Sequence, residues 1–139
     1  MEFTEERVFP AKVEILPEIT AFICDFGEKS NIHPKKMMHL DLAIDEVVAN
    51  ICNYAYMKPP GEILVRVKGT EGKFEVSFID KGIPFDPLSL DDPDIASELN
   101  DREIGGLGIF LIRRVMDEVH YKREGDQNIL ILVLYSENS

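Results

Sequence analysis

The spacing of apolar residues in the first half of the chain predicts two amphipathic helices. Apolar positions three or four residues apart share one face of a helix. In the first stretch these positions are Leu16, Ile19, Phe22, Ile23 and Phe26. Pro10 is expected at the head of this helix, where proline is tolerated, and Gly27 at its end. In the second stretch, which starts near Pro34 and ends at Pro59-Pro60-Gly61, they are Leu40, Ile44, Val47, Val48, Ile51 and Ala55.

Alternation of apolar and polar residues predicts strands in other parts of the chain. Residues 2–9 are expected to form a short strand. Two hairpins are predicted, one over residues 63–78 around Thr70-Glu71-Gly72 and one over residues 119–135 around Glu124-Gly125-Asp126. A third helix is expected from about residue 106 to 117. Because strands and helices are segregated along the chain, the pattern favours an α+β two-layer sandwich, with a mostly antiparallel sheet covered on one face by three helices.

Length and charge narrow the classes of function. The 139 residues fit one domain, 1–139. With 26 Asp and Glu against 15 Lys and Arg, the net charge of -11 would repel DNA or an anionic membrane surface. The acidic start of the chain is unlike a secretory signal, and no apolar run is long enough to span a bilayer. Cys24 and Cys52 are interpreted as small buried hydrophobes in a reducing compartment. Together these features predict a cytoplasmic protein without nucleic-acid or membrane partners.

Two polar residues share one face of the second predicted helix. Glu46 and Asn50 lie about 40° apart around the helix axis, and Asn53 and Tyr54 extend the same stripe. Their neighbours are apolar, so the Asn50 amide is expected beside a packed surface, where an unpaired amide costs about 1–3 kcal/mol. A Mg²⁺ ion carrying phosphate oxygens would satisfy this amide, and Glu46 could accept a proton from an attacking hydroxyl or water. The alternative is a solvated polar stripe on an amphipathic helix.

Asp80 closes a predicted strand, and Gly82 lets the chain turn sharply after it. A carboxylate at a strand end can accept a hydrogen bond from an exocyclic amine such as the 6-amino group of adenine. Gly82 then leaves room for a flat ring, and Ile83, Pro84 and Phe85 supply apolar contact. The alternative is that Asp-x-Gly is simply a common turn.

A glycine-rich segment, Gly105-Gly106-Leu107-Gly108, precedes the third predicted helix. Glycines at a helix start let backbone N–H groups approach a phosphate, and the helix dipole favours the negative charge. The segment is not a Walker A loop, because no Gly-Lys-Ser/Thr follows it, and it is a poor dinucleotide fingerprint. The alternative is a flexible hinge into a packed helix.

Taken together, the three segments resemble the N, G1 and G2 boxes of the Bergerat-fold (GHKL) ATPases, a group that includes gyrase and the histidine kinases. Asp45-Glu46-Val47-Val48-Ala49-Asn50 resembles the N box of the anti-sigma factor serine kinases. Three further segments are similar to the same subfamily: Pro84-Phe85-Asp86-Pro87, the segment from Gly105 to Ile112, and Met116-Asp117-Glu118-Val119. The resemblance covers nearly the whole chain.

The resemblance implies an ATP-dependent protein serine kinase with ATP and Mg²⁺ as cofactors. Glu46 would be the general base, Asn50 would ligate Mg²⁺, and Asp80 would bind the adenine amine. The other nucleotide-binding residues implied are Asn53, Gly82, Pro84, Phe85, Gly105, Gly106, Leu107 and Gly108, with Arg102 in an ATP lid at about residues 87–104. Members of this family bind a sigma factor and phosphorylate a STAS-fold antagonist, and relatives are often dimeric. A sigma factor, such an antagonist and a second copy of the chain are therefore the expected partners.

Two departures from the family pattern favour an alternative function. Tyr54 stands where the family usually has His. The expected lid is strongly acidic, with Asp91, Asp92, Asp94, Glu98, Asp101 and Glu103 against the single Arg102. These features favour a nucleotide-sensing binding module that sequesters a regulatory partner without kinase activity. The ATP-binding domain of a histidine kinase ranks last, since the chain has no room for a helical hairpin bearing a phosphorylatable His.

Overall fold

The computed structural model describes residues 2–52, 61–82 and 112–136. Strand β1 (Phe3–Pro10) is followed by helices α1 (Leu16–Lys29) and α2 (Pro34–Asn50). The later described strands are β2 (Glu62–Thr70), β3 (Lys73–Asp80), β4 (Glu118–Glu124) and β5 (Gln127–Tyr135). A single 3-10 turn at Val13–Ile15 leads into α1, and residues 112–115 are helical.

The strands form one five-stranded sheet in the order β1-β2-β3-β5-β4, and every neighbouring pair is antiparallel. Both predicted hairpins and the antiparallel sheet are therefore confirmed. The turns between paired strands contain Gly72, with φ of 81°, and Gly125, with φ of 59°. Both values lie in the left-handed region that glycine adopts readily. Because β5 pairs with β3 as well as with β4, the last described strand of the chain lies inside the sheet.

One face of the sheet carries the core, and the helices cover it. Successive residues of a strand point to opposite faces, and the residues that β2, β3 and β5 contribute to the core cluster share one face, whereas the buried Ile79, Ile129 and Val133 lie on the other. The residues of the core face are Ile63, Val65, Val67, Phe74, Val76, Phe78, Leu130, Leu132 and Leu134. The helices contribute Ile19, Ile23, Leu40, Ala43, Ile44, Val47 and Val48 to the same cluster. The predicted α+β two-layer architecture is confirmed, and Asp80 and Asn128 continue the core-facing register to one end of the sheet.

Two predicted helix boundaries are wrong. Pro10 is the last residue of β1, and α1 begins only at Leu16, with Pro17 in its first turn. A proline is tolerated in β1 because this is an edge strand, where a missing N–H donor costs little. Gly27 lies inside α1 rather than at its end. A Cβ atom at this position would come within 2.8 Å of the Met37 side chain, so the glycine permits a close approach of α1 and α2.

The second helix begins at Pro34 as predicted, and Cys24 and Cys52 are free, half-buried thiols. The predicted end of the second helix at residues 59–61 lies partly outside the described ranges. The predicted start of the third helix at residue 106 and the expected lid lie wholly outside them. Among the described helices, none combines the length and apolar character that a membrane crossing needs.

Candidate functional site

Helix α2 carries the predicted polar stripe and is held in place at its start and along one face. His33 Nδ1 accepts a hydrogen bond of 3.0 Å from the Lys35 backbone N–H, which satisfies one of the unpaired donors of the first turn. Lys36 Nζ donates to Asp117 Oδ2 at 2.9 Å and to the Tyr135 carbonyl at 2.8 Å. The buried face consists of Leu40, Ala43, Ile44, Val47, Val48 and Asn50. The hydrogen bonds of Lys36 thus fix α2 against the sheet at the end of the helix that is opposite to Asn50.

Asn50 is the polar member of this buried face. It is 6% exposed, and neither its Nδ2 nor its Oδ1 atom has a hydrogen-bond partner among the described residues. A buried amide without partners costs about 1–3 kcal/mol, so a ligand that supplied partners would gain that free energy. Glu46, one helical turn earlier, is half-buried. The helix thus places a partly exposed acidic residue one turn from a buried amide.

Asp80 is the last residue of β3 and is 5% exposed. Its Oδ1 atom accepts two hydrogen bonds, one from the Gly82 backbone N–H at 2.8 Å and one from Asn128 Nδ2 at 2.9 Å. The first bond closes a tight turn of the kind that Asp-x-Gly sequences form. The turn and the predicted carboxylate site are thus one structure, and the two interpretations of the sequence do not exclude each other.

The β4–β5 hairpin supplies three residues that the sequence analysis missed. Asn128 lies directly across the sheet from Asp80, and its Oδ1 atom accepts a 2.5 Å hydrogen bond from the Tyr121 hydroxyl. Arg123 Nη1 donates to the Gly82 carbonyl at 2.9 Å. A signal for Asn128 was present, because a polar residue at the start of the apolar run Ile129–Tyr135 is unusual on a core-facing register. The strand order needed to connect it with Asp80 is a tertiary feature.

The structure brings some predicted site residues together and leaves others undescribed. Asp80 and Gly82 form one hydrogen-bonded unit, while Glu46 and Asn50 share α2. No hydrogen bond between described residues joins the two groups. The predicted site residues outside the described ranges are Asn53, Pro84, Phe85, Arg102, Gly105, Gly106, Leu107 and Gly108.

Carboxylates crowd the outer sides of both helices. Burial and the neighbouring Asp41 carboxylate raise the pKa of Asp45, which precedes Glu46. Burial, together with the carboxylates of Asp41, Glu28 and Asp25, raises the pKa of the Cys24 thiol to about 11. This thiol is therefore uncharged at neutral pH and behaves as a small hydrophobe, as interpreted from the sequence.

An antiparallel sheet covered by helices, with an aspartate at the end of a central strand and a buried amide on the covering helix, is the arrangement expected from the resemblance to the Bergerat-fold ATPases. The chain belongs to the histidine kinase-like ATPase domain family, whose profile matches residues 9–134. This match confirms the resemblance to the Bergerat-fold ATPases. It also extends over all the described elements from the end of β1 to most of β5.

Known proteins similar to the chain include kinases of bacilli. The serine-protein kinase RsbW of Bacillus cereus strain AH187 is 25% identical over 130 residues, which cover 91% of this chain and 81% of the relative. The protein of the same name from Bacillus anthracis has the same identity and coverage. Curated relatives thus match the chain over most of both lengths.

Solved structures of low sequence identity share the fold. A chain in the SiaB–SiaC complex from Pseudomonas aeruginosa superposes with a TM-score of 0.56 at 18% identity, covering 92% of this chain and 88% of that chain. The catalytic domain of the histidine kinase ThkA superposes with a TM-score of 0.54 at 15% identity, covering 95% and 97%. The common feature is the two-layer ATPase architecture.

Proposed function

We propose that this protein is an ATP-dependent protein serine kinase that acts as an anti-sigma factor. The observation that carries the proposal is the buried amide of Asn50, which has no hydrogen-bond partner in the described part of the chain and lies one helical turn from the half-buried Glu46. Membership of the histidine kinase-like ATPase family supports ATP as the nucleotide that binds. Similarity to proteins named serine-protein kinase supports a protein serine as the acceptor.

The surroundings of Asn50 fit the Mg²⁺ ion of Mg-ATP. Mg²⁺ prefers oxygen ligands and often takes only one or two from protein when phosphates and water supply the rest. The amide oxygen of Asn50 meets that need. The described residues contain no group of three or more His, Cys, Asp or Glu side chains that could hold a metal by themselves. When bound, Mg²⁺ supplies neutralisation of the phosphate charge.

The base of the nucleotide is assigned to the end of β3. Asp80 would accept a hydrogen bond from the 6-amino group of adenine, and Gly82 would lie beside the ring. The remaining contacts proposed for the nucleotide are Asn53, Pro84, Phe85, Arg102, Gly105, Gly106, Leu107 and Gly108. Of these, Arg102 would reach the γ-phosphate and the glycine segment would lie under the phosphates.

Glu46 is assigned as the general base of the transfer. In this step a serine Oγ of the protein substrate forms a bond to the γ-phosphorus, and the bond from that phosphorus to the bridging oxygen of ADP breaks. The serine proton passes to the Glu46 carboxylate, and ADP leaves. Phosphoryl transfer depends mainly on positioning and charge neutralisation, so a fixed helix bearing both Glu46 and Asn50 suits the reaction.

The proposed partners are a STAS-type antagonist as the phosphate acceptor and a sigma factor as the protein held inactive. The net charge of -11 favours partners with basic surfaces. Association of two copies of the chain remains a prediction from the family resemblance.

The test is a phosphotransfer assay from γ-labelled Mg-ATP to each purified STAS-domain protein of the source organism. We expect one of them to be labelled on serine, and Glu46→Gln to reduce the rate by about 100-fold or more while ATP still binds. Asp41→Asn is the matched control, because it removes a carboxylate from the exposed side of the same helix. This variant should transfer phosphate at the wild-type rate.

Two results would contradict the proposal. Transfer by Glu46→Gln at the wild-type rate would show that the base is wrongly assigned. Tight ATP binding without transfer to any STAS-domain protein would favour the binding module that senses nucleotide and sequesters a partner.

A further inference from the structure

The two oxygens of the Asp80 carboxylate have different environments. Oδ1 accepts both described hydrogen bonds, at 2.8 Å from the Gly82 N–H and at 2.9 Å from Asn128 Nδ2. Within the described ranges, Oδ2 accepts none. The described residues thus occupy one oxygen, and the second has an acceptor site left for a donor from elsewhere. An ionised carboxylate only accepts hydrogen bonds, so the ligand group facing Oδ2 must be a donor.

The orientation of the Asn128 amide is fixed from both of its ends. On one side it faces the acceptor-only Asp80 carboxylate, which requires the Nδ2 group there. On the other side the Tyr121 hydroxyl donates to its Oδ1 atom at 2.5 Å. The amide is 5% exposed, so water cannot readily replace either partner. A chain of hydrogen bonds, called the relay below, therefore runs from Tyr121 on β4, through Asn128 on β5, to Asp80 on β3.

We propose that Tyr121 and Asn128 are positioning residues that set the base specificity of the nucleotide site. The inference rests on the proposed nucleotide site and extends it to residues outside the three sequence motifs. Tyr121 holds the Asn128 amide, and Asn128 holds Oδ1 of Asp80, so that Oδ2 faces the group on position 6 of a purine. An amino group at this position donates to Oδ2, whereas a carbonyl oxygen at the same position is repelled by it.

Loss of the relay should affect selectivity as well as affinity. A carboxylate released from Asn128 can turn about its side-chain bond, which weakens the hydrogen bond to an amine and also removes the fixed repulsion of a carbonyl. A residue with a purely structural role would weaken the binding of both kinds of purine equally. The ratio of the two affinities therefore separates positioning from general stability.

The experiment is calorimetric titration of the full chain with Mg-ATP and with Mg-inosine triphosphate, which carries a carbonyl at position 6. We expect the wild-type protein to prefer ATP. Tyr121→Phe keeps the ring and removes the hydroxyl, and it should reduce the ATP preference by about 2- to 10-fold, the range of one net hydrogen bond. Asn128→Leu, of similar volume, should reduce it further because it removes the donor to Asp80 itself.

Lys122→Ala is the matched control. Lys122 lies between Tyr121 and Arg123 on β4, points to the other face of the sheet and forms an exposed ion pair with Glu124. This variant should keep the wild-type ATP preference. Thermal unfolding of each variant establishes that it is folded, and Tyr121→Phe decides the question if Asn128→Leu does not fold.

The outcomes distinguish this inference from the proposed function. An unchanged ATP preference in Tyr121→Phe and Asn128→Leu, with both triphosphates weakened equally, would overturn the relay and leave the kinase proposal intact. A wild-type protein that bound neither triphosphate would overturn both. A reduced preference in Lys122→Ala of the same size would also overturn the relay, because any change in the hairpin would then suffice.

Discussion

The two described halves of the candidate site differ in how their buried polar groups are satisfied. Asp80 and Asn128 are each 5% exposed and are joined to each other and to the Tyr121 hydroxyl by hydrogen bonds. Asn50 is almost as buried, at 6%, yet neither polar atom of its amide has a partner among the described residues. The two halves thus place the same kind of group, a buried amide, in opposite situations.

This contrast suggests that the sheet and the helix bind different parts of a ligand. The end of the sheet is organised before any ligand binds, which suits the recognition of a rigid base. The amide on α2 contributes favourably only when a ligand supplies its partners, which suits a metal-bound triphosphate that arrives with its own ligands. Variants of Asp80, Asn128 and Asn50 test the two sides of this contrast.

The largest effect is expected for Asp80→Asn. The new side chain can still accept hydrogen bonds from Gly82 and Asn128 through its oxygen, so the turn should survive. Its Nδ2 atom would then replace Oδ2 and present a donor to the amine of the ligand. We expect the ATP affinity to fall by about 100-fold, or about 2.7 kcal/mol, in calorimetric titration.

The midpoint of thermal unfolding serves as the control for that variant and should stay close to the wild-type value. An ATP affinity within about 3-fold of wild type would show that Asp80 does not recognise the base.

A comparison of Asn128→Ala with Asn50→Ala comes next. The first variant removes one of the two described hydrogen bonds of the buried Asp80 carboxylate and the described acceptor of the Tyr121 hydroxyl, so it should lower the free energy of unfolding by about 1–3 kcal/mol. The second removes an amide that has no described partner and introduces a better helix former, so it should lower the stability by much less or raise it. Denaturant unfolding of both variants measures the difference. Equal destabilisation would remove the contrast between the two halves.

A smaller effect is expected on the affinity of Asn50→Ala for Mg-ATP. Because Asn50 is the proposed protein ligand of Mg²⁺, Asn50→Ala should weaken the binding of Mg-ATP by about 10-fold and leave the binding of metal-free ATP nearly unchanged. Titrations with and without Mg²⁺ measure this difference. A variant that retained the full benefit of Mg²⁺ would place the metal elsewhere.

The smallest effect concerns Asp45 on the same helix. Burial and Asp41 raise its folded-state pKa, so its charge opposes folding at neutral pH, and this penalty disappears as the pH falls through the raised pKa toward the unfolded value. Asp45→Asn should therefore stabilise the protein by about 0.2–0.5 kcal/mol at pH 7, the usual size of a like-charge pair at this helix spacing. Urea unfolding at pH 7 and at pH 3 would detect the gain at the higher pH alone. A gain of equal size at both values would assign it to another cause.

Most of the fold could be predicted from local patterns in the sequence. Alternation gave the two hairpins, and apolar spacing gave the two helices, because each pattern follows from the geometry of one element. The boundary errors at Pro10 and Gly27 have a different origin. Pro10 is tolerated in β1 because that strand lies at the edge of the sheet, and Gly27 is placed by its contact with Met37. Both reasons depend on neighbours that are distant in the sequence.

The same limit applies to the candidate site. Asp80 and Gly82 could be singled out because an acid and a glycine next to a strand are visible locally. Asn128 and Tyr121 could not be connected with them, since 48 residues separate Asp80 from Asn128 and only the strand order brings them together. That the Asn50 amide is buried and has no partner among the described residues is likewise known only from the packing of α2.

The position of β5 inside the sheet has a consequence for synthesis of the protein. As the chain leaves the ribosome, β3 emerges with one edge unpaired, and it stays so until β5 follows, roughly 2–10 s later at ordinary rates of translation. During this interval the exposed edge of β3 is a template for pairing with other chains. Asp80 also lacks its hydrogen bond from Asn128 until β5 is made, so the end of the sheet proposed to bind the base is among the last described parts to form. A nascent chain that stalls before Gln127 would therefore lack the hydrogen bond that holds Asp80 and would be prone to aggregation.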